Sequence, residues 1–159
     1  MSNSTKIASS LLGQDLTSEE CDVLATIVKS RQLQSAETLF DVGTQDDILY
    51  LLITGKLEVL NVFPGGNTIS IDVLQEGAMT GELTFIDGAA HTMRVIAKKE
   101  SEVLMLQREA FESLVESHPK LTYQVMRSIL RYSHTLQRKI NGKYLEMYRM
   151  VQNQYTAHY

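Results

Sequence analysis

The chain predicts an α+β fold that is mainly β: a compact barrel or roll of short strands between an N-terminal helix and a long C-terminal helix. Three observations predict it. Residues 38–107 fall into short runs rich in Val, Ile, Leu and Tyr, punctuated by Gly43, Gly55, Gly65-Gly66, Gly77, Gly81 and Gly88. A helix-start signal stands ahead of them. Beyond Arg108 the apolar residues return at intervals of three or four.

Thr17-Ser18-Glu19-Glu20 is a capping box, with Thr17 as N-cap and Glu20 three positions on. Cys21, Leu24, Ile27 and Val28 then recur at helical spacing, which predicts a helix to about Ser30. Strands are predicted over 49–53, 56–62, 68–74, 94–97 and 102–106, with Pro64-Gly65-Gly66 marking a hairpin loop within 61–67. Phe111, Leu114 and Val115 make a short helix, and Pro119 suits the first turn of a new one. From there Leu121, Val125, Ile129, Tyr132, Leu136, Ile140, Tyr144, Met147 and Val151 form one long apolar stripe. Asn141-Gly142 lies within it, a pair able to end one helix and start another. With no repeat or linker, the chain reads as a single domain, 1–159. Its parts are an N-terminal helical segment 1–35, a β-roll 36–107 and C-terminal helices 108–159.

The 159 residues carry a net charge of −4, with 43% apolar and 21% charged residues, an ordinary globular balance. One cysteine, Cys21, forms no internal disulfide and holds no thiolate-ligated cluster. Neither a secretory leader nor an apolar run of membrane-spanning length is evident, so a cytoplasmic protein with no membrane partner is expected. His91, His118, His134 and His158 lack the pairing of a metal site, and no nucleophile motif occurs. Neither catalytic nor metal-ligating residues are therefore assigned, and an enzyme is not expected. Arg127, Arg131, Arg138, Lys139 and Lys143 make the last helix basic, which reads as a solvated face. Tyr148, Tyr155 and Tyr159 suggest that the tail packs on something.

Gly81-Glu82-Leu83, the turn at Asp87-Gly88 and His91-Thr92-Met93-Arg94-Val95 together resemble a phosphate-binding cassette. It is the cassette of cyclic-nucleotide-binding domains, as in catabolite activator-type regulators and the regulatory subunit of cAMP-dependent protein kinase. Leu39-Phe40, Gly43, Asp47, Leu49-Tyr50, Gly55 and Gly77 match the family's strands and turns, and Phe111, Leu114 and Pro119 its approach to the dimerisation helix. The resemblance implies a double-stranded β-helix, or jelly roll. Its ligand would be a cyclic nucleotide, cAMP or cGMP, or another small anion, with no resident cofactor.

By the same resemblance the ligand-binding set is Gly81, Glu82, Leu83, His91, Thr92, Met93, Arg94 and Gln137. Gly81 lets the sugar-phosphate approach the main chain, and Glu82 accepts from a ribose 2′-hydroxyl. His91 stands where the family has an arginine, exchanging a permanent charged fork for an imidazole with one donor when neutral. Phosphate binding is then expected to be weaker and pH-dependent. Thr92 offers a hydroxyl and a backbone N–H, while Met93 is bulkier than the small residue usual there. Arg94 lies three residues from His91, so on a plain strand it faces the other way. Leu136 and Gln137 fall where the long helix would reach a base.

The implied function is a regulatory ligand-sensing module that signals through a dimer or a protein partner. The homodimer would form through the helix at 121–140. The eight residues after Val151 are too few for a helix-turn-helix module, so no nucleic-acid partner is expected. The alternative is a dimerisation or adaptor domain that has lost its ligand.

Overall fold

A computed structural model describes residues 1–156. His158 and Tyr159 lie outside the described residues. Helix α1 (Asn3–Ala8) and a 3-10 turn (Gly13–Asp15) precede α2 (Ser18–Ala25). Eight strands follow: β1 (Lys29–Leu33), β2 (Thr38–Phe40), β3 (Ile48–Thr54), β4 (Leu57–Val62), β5 (Thr68–Leu74), β6 (Met79–Thr80), β7 (Arg94–Ala97) and β8 (Ser101–Gln107). Helix α3 (Glu82–Asp87) interrupts them between β6 and β7. Helices α4 (Arg108–Glu112) and α5 (Pro119–Thr156) close the chain.

The strands form two four-stranded antiparallel sheets, ordered β1-β8-β3-β6 and β2-β7-β4-β5. This is the expected jelly roll. The faces that meet between the sheets bury Leu33, Tyr50, Leu52 and Val103 from the first and Phe40, Leu57, Val95 and Ala97 from the second. The other face of the first sheet packs Leu49, Leu51, Leu104 and Leu106 under the helices, against Ile7, Leu24, Phe85, Phe111, Leu121 and Val125. Strand β3 is therefore apolar on both faces, which is why its sequence reads as an unbroken run instead of an alternation.

The capping box is present as read. The Thr17 hydroxyl accepts from the Glu20 N–H at 3.2 Å, and the Glu20 carboxylate accepts from the Thr17 N–H at 2.8 Å. The helix it starts ends at Ala25, short of the predicted Ser30. Residues 29–33 pair with β8 instead, from Lys29 opposite Met105 to Leu33 opposite Ser101. The expected helical segment 1–35 thus ends in a strand of the roll. Its Lys-Ser-Arg-Gln run buries only Leu33, so the ladder to β8, and not local periodicity, decides its conformation.

Asn141-Gly142 breaks nothing. Helix α5 runs unbroken for 38 residues, about 57 Å. One helical glycine costs only about 1 kcal/mol, and helix formation propagates cooperatively through it from both sides. The start of α5 is buried at Leu121, Val125 and Ile129, whereas the part beyond Lys143 stands clear of the roll. There Tyr144, Met147 and Val151 are exposed, their stripe unpartnered among the described residues.

Candidate functional site

The cassette is positioned by close contact with β3. Gly81 caps α3 with φ of 80°, and a Cβ there would sit 2.6 Å from the Ile48 carbonyl oxygen. Only glycine meets both demands. Helix α3 closes at Gly88, whose N–H donates to the Thr84 carbonyl at 2.9 Å. The chain then returns through 89–93, held by His91 N–H to Thr44 O and Gly43 N–H to His91 O, both 2.8 Å.

These constraints turn the His91 ring inward, where it is 6% exposed and stacks on Phe40 with centroids 3.8 Å apart and planes 12° off parallel. Both ring nitrogens are engaged. Nε2 lies 3.0 Å from Asp46 Oδ1, and Nδ1 lies 3.1 Å from Thr84 Oγ1. A carboxylate can only accept, so in the neutral ring Nε2–H donates to Asp46 and Nδ1 accepts from the Thr84 hydroxyl. The Tyr50 hydroxyl donates to the other Asp46 oxygen at 2.6 Å. Burial, followed by the hydrogen bond to Asp46, pushes the Tyr50 phenol well above its ordinary value. Three secondary-structure elements and the loop before β3 thus meet at one imidazole.

Beside this network lies a pocket of about 550 Å³. The roll supplies Phe40, Leu74, Met79 and Val95, the cassette supplies 81–84 and 89–93, and α5 closes it with Tyr132, Leu136, Lys139, Ile140 and Lys143. The lining is mostly apolar. Its charged groups are Asp72, Glu82, Asp87, Lys139 and Lys143. The Lys139 ammonium donates to both Asp72 oxygens at 2.9 Å. Burial opposes charge on Asp72, but the Lys139 bond, the Val73 N–H and the nearby lysines together hold its carboxyl below the ordinary range. Glu82 has no such cation. Burial pushes its carboxyl up, opposed only by its backbone hydrogen bond and the field of His91.

Gly81, Glu82, Leu83, His91, Thr92 and Met93 all line the pocket. Arg94 and Gln137 do not. Arg94 Nε and Nη2 chelate Asp41 at 2.9 and 3.1 Å; strand β7 begins only at Arg94, so the two-residue period of a strand does not relate it to His91. Gln137 is exposed, whereas its neighbour Leu136 lines the pocket, because one helical step turns a side chain by about 100°. Lys139 and Lys143, read as part of a solvated face, turn toward the pocket. Phe40, Asp46, Thr84 and Tyr132 were not singled out as site residues. Tyr132 carried a signal as a member of the apolar stripe. Asp46 and Thr84 carried none, because their role arises only where the chain folds back on His91.

Asp46→Ala would leave the buried His91 N–H and the Tyr50 hydroxyl without their acceptor. Its expected cost in urea unfolding is about 1–3 kcal/mol. Asp41→Ala, which breaks a solvated pair with Arg94, is expected to cost much less. Glu82→Gln should stabilise the fold at neutral pH, since it removes a charge buried without a paired cation. The folded-state pKa of Glu82 is raised, so the penalty acts above that value and is absent below the ordinary 4.5. Unfolding of both proteins from pH 4 to 8 should show the gain growing as pH rises.

Residues 30–118 match the family profile of the cyclic nucleotide-binding domain. A crystal structure of a cyclic nucleotide-binding domain from Methylobacillus flagellatus superposes with a TM-score of 0.84 at 23% identity, covering 91% of this chain and 83% of that one, which establishes likeness of fold. The cyclic AMP receptor protein of Thermus thermophilus is 25% identical over 116 residues, 73% of this chain and 54% of that protein. Lysophospholipase nte1 of Neosartorya fischeri is 26% identical over 116 residues, 72% of this chain but 8% of the enzyme. The chain thus spans about half of one relative and a small part of the other. The matched profile takes in all eight strands but the first residue of β1, along with the cassette and the approach to α5, and the chain belongs to the cyclic nucleotide-binding domain family.

Proposed function

We propose that the protein is a regulatory ligand-sensing module that signals through α5, as a dimer or to a protein partner. One observation carries this reading: the pocket is lined jointly by the cassette and by Tyr132, Leu136, Lys139 and Ile140 of α5. A ligand filling it touches the roll and the helix at once. It therefore favours whichever arrangement of α5 closes best over it, and the free energy of binding becomes a bias on the helix.

A second reading has its own support. With both His91 nitrogens hydrogen-bonded inside the protein, a phosphate finds no ready donor there, as expected of an adaptor domain that has given up its ligand. Thermal-shift titration with cyclic nucleotides and nucleosides separates the two. On the sensing reading at least one compound raises the melting temperature, because a ligand that binds only the folded state must stabilise it. A panel without effect supports the adaptor.

The output surface is the exposed stripe of α5. Tyr144, Met147 and Val151 lie on one side of a helix that meets no other part of the described chain there, and association removes such apolar area from water. A second copy supplies the same stripe, giving a two-fold helix pair. Sedimentation at micromolar concentration should give twice the chain mass. Tyr144→Glu combined with Met147→Glu should give a folded monomer, since neither side chain packs on the roll.

A further inference from the structure

We propose that the pocket selects an uncharged ligand of nucleoside size bearing neighbouring hydroxyls, in preference to a phosphate-bearing one. This rests on the sensing reading and specifies its ligand. Burying an anion requires hydrogen-bond donors and positive potential that the protein has not already spent. Here the imidazole and guanidinium donors are spent. The His91 N–H is given to Asp46, and releasing it means breaking contacts to Asp46, Thr84 and Phe40 around a ring 6% exposed. An anion brought to the ring would also meet the Asp46 carboxyl, 3.0 Å from Nε2.

Most other cations near the cassette are committed too, with Lys143 of the lining the exception among the described residues. Arg94 is chelated by Asp41, Arg108 pairs with Asp47 at 2.7 Å, and Lys139 bonds both oxygens of Asp72. Across the lining, three carboxylates face two ammoniums, so the fixed charge opposes an anion. A phosphate would also enter beside Glu82, whose carboxylate pairs with no cation among the described residues.

What remains suits a neutral molecule. Phe40, Leu74, Met79, Val95, Leu136 and Ile140 offer apolar walls to a flat heterocycle, and about 550 Å³ is within the range of small-molecule sites. No side chain donates to Glu82 among the described residues; beyond its own backbone hydrogen bond, its carboxylate keeps acceptor capacity for donors from a ligand. A vicinal diol presents neighbouring hydroxyls, so a ribose without its phosphate answers the polar demand of Glu82.

Calorimetry on the full chain with adenosine, guanosine, 2′-deoxyadenosine and cAMP tests this. Adenosine or guanosine is expected to bind at least about ten-fold more tightly than cAMP. Glu82→Ala should weaken nucleoside binding about ten-fold or more, and 2′-deoxyadenosine should reproduce that loss in the unaltered protein. The deoxy ligand makes the test independent of how the variant folds. If cAMP binds as tightly as the nucleosides, the selection proposed here is wrong while the sensing function stands. If none of the four binds, both fall. Equal binding of adenosine and 2′-deoxyadenosine would also overturn the proposal, since Glu82 would not be holding the diol.

Discussion

Two hydrophobic cores meet at β3, which sends Leu49 and Leu51 under the helices and Tyr50 and Leu52 between the sheets. A strand buried on both faces cannot slip by one residue without exchanging its two sets of neighbours, so its register is fixed from both sides. The site inherits that rigidity. Tyr50 carries its hydroxyl to Asp46, Asp46 holds His91, and the Ile48 carbonyl leaves room only for a glycine at the entry to α3. The cassette geometry is thus a consequence of core packing, not of the loop's own preferences.

Charge is distributed in a similarly consistent way. Around the roll Arg31, Arg94, Arg108 and Lys139 are each met by a carboxylate, Glu37, Asp41, Asp47 and Asp72. Such pairs on the surface contribute little to stability. Their effect is local: each removes a positive centre from the field near the pocket. His91 completes the pattern from inside, its Nε2 answered by Asp46.

Much of this was legible in the sequence, and the exceptions have physical causes. The runs 68–74 and 94–97 coincide with β5 and β7, and the capping box is present atom by atom, because these signals are local. Strand β1 was hidden, since an edge strand that buries only Leu33 has no apolar alternation to read. Strand β6, two residues long, is shorter than any period. At the site, the glycines and Glu82 were readable from their order and spacing. The partners of His91 were not: Asp46 lies 45 residues away in the chain, and an aspartate in a polar loop looks like any other. Lys139 and Lys143 are exposed as read, but helical spacing does not reveal that lysines at the border of the apolar face also border the pocket.

The length of α5 beyond its buried anchor gives the fold mechanical gain. From Ile129, the last buried residue, to Thr156 the helix extends about 40 Å. A rigid rod pivoting at that anchor through about 10° moves its tip by roughly 7 Å, more than one helical pitch. Tyr132 and Leu136, which touch the pocket, lie within two turns of the pivot, where the same rotation displaces a side chain by under about 2 Å. For such a rotation, an adjustment of an ångström or two at the pocket would correspond to a several-fold larger one at the far end, once the Arg131–Asp15 and Lys139–Asp72 pairs that tether the helix give way.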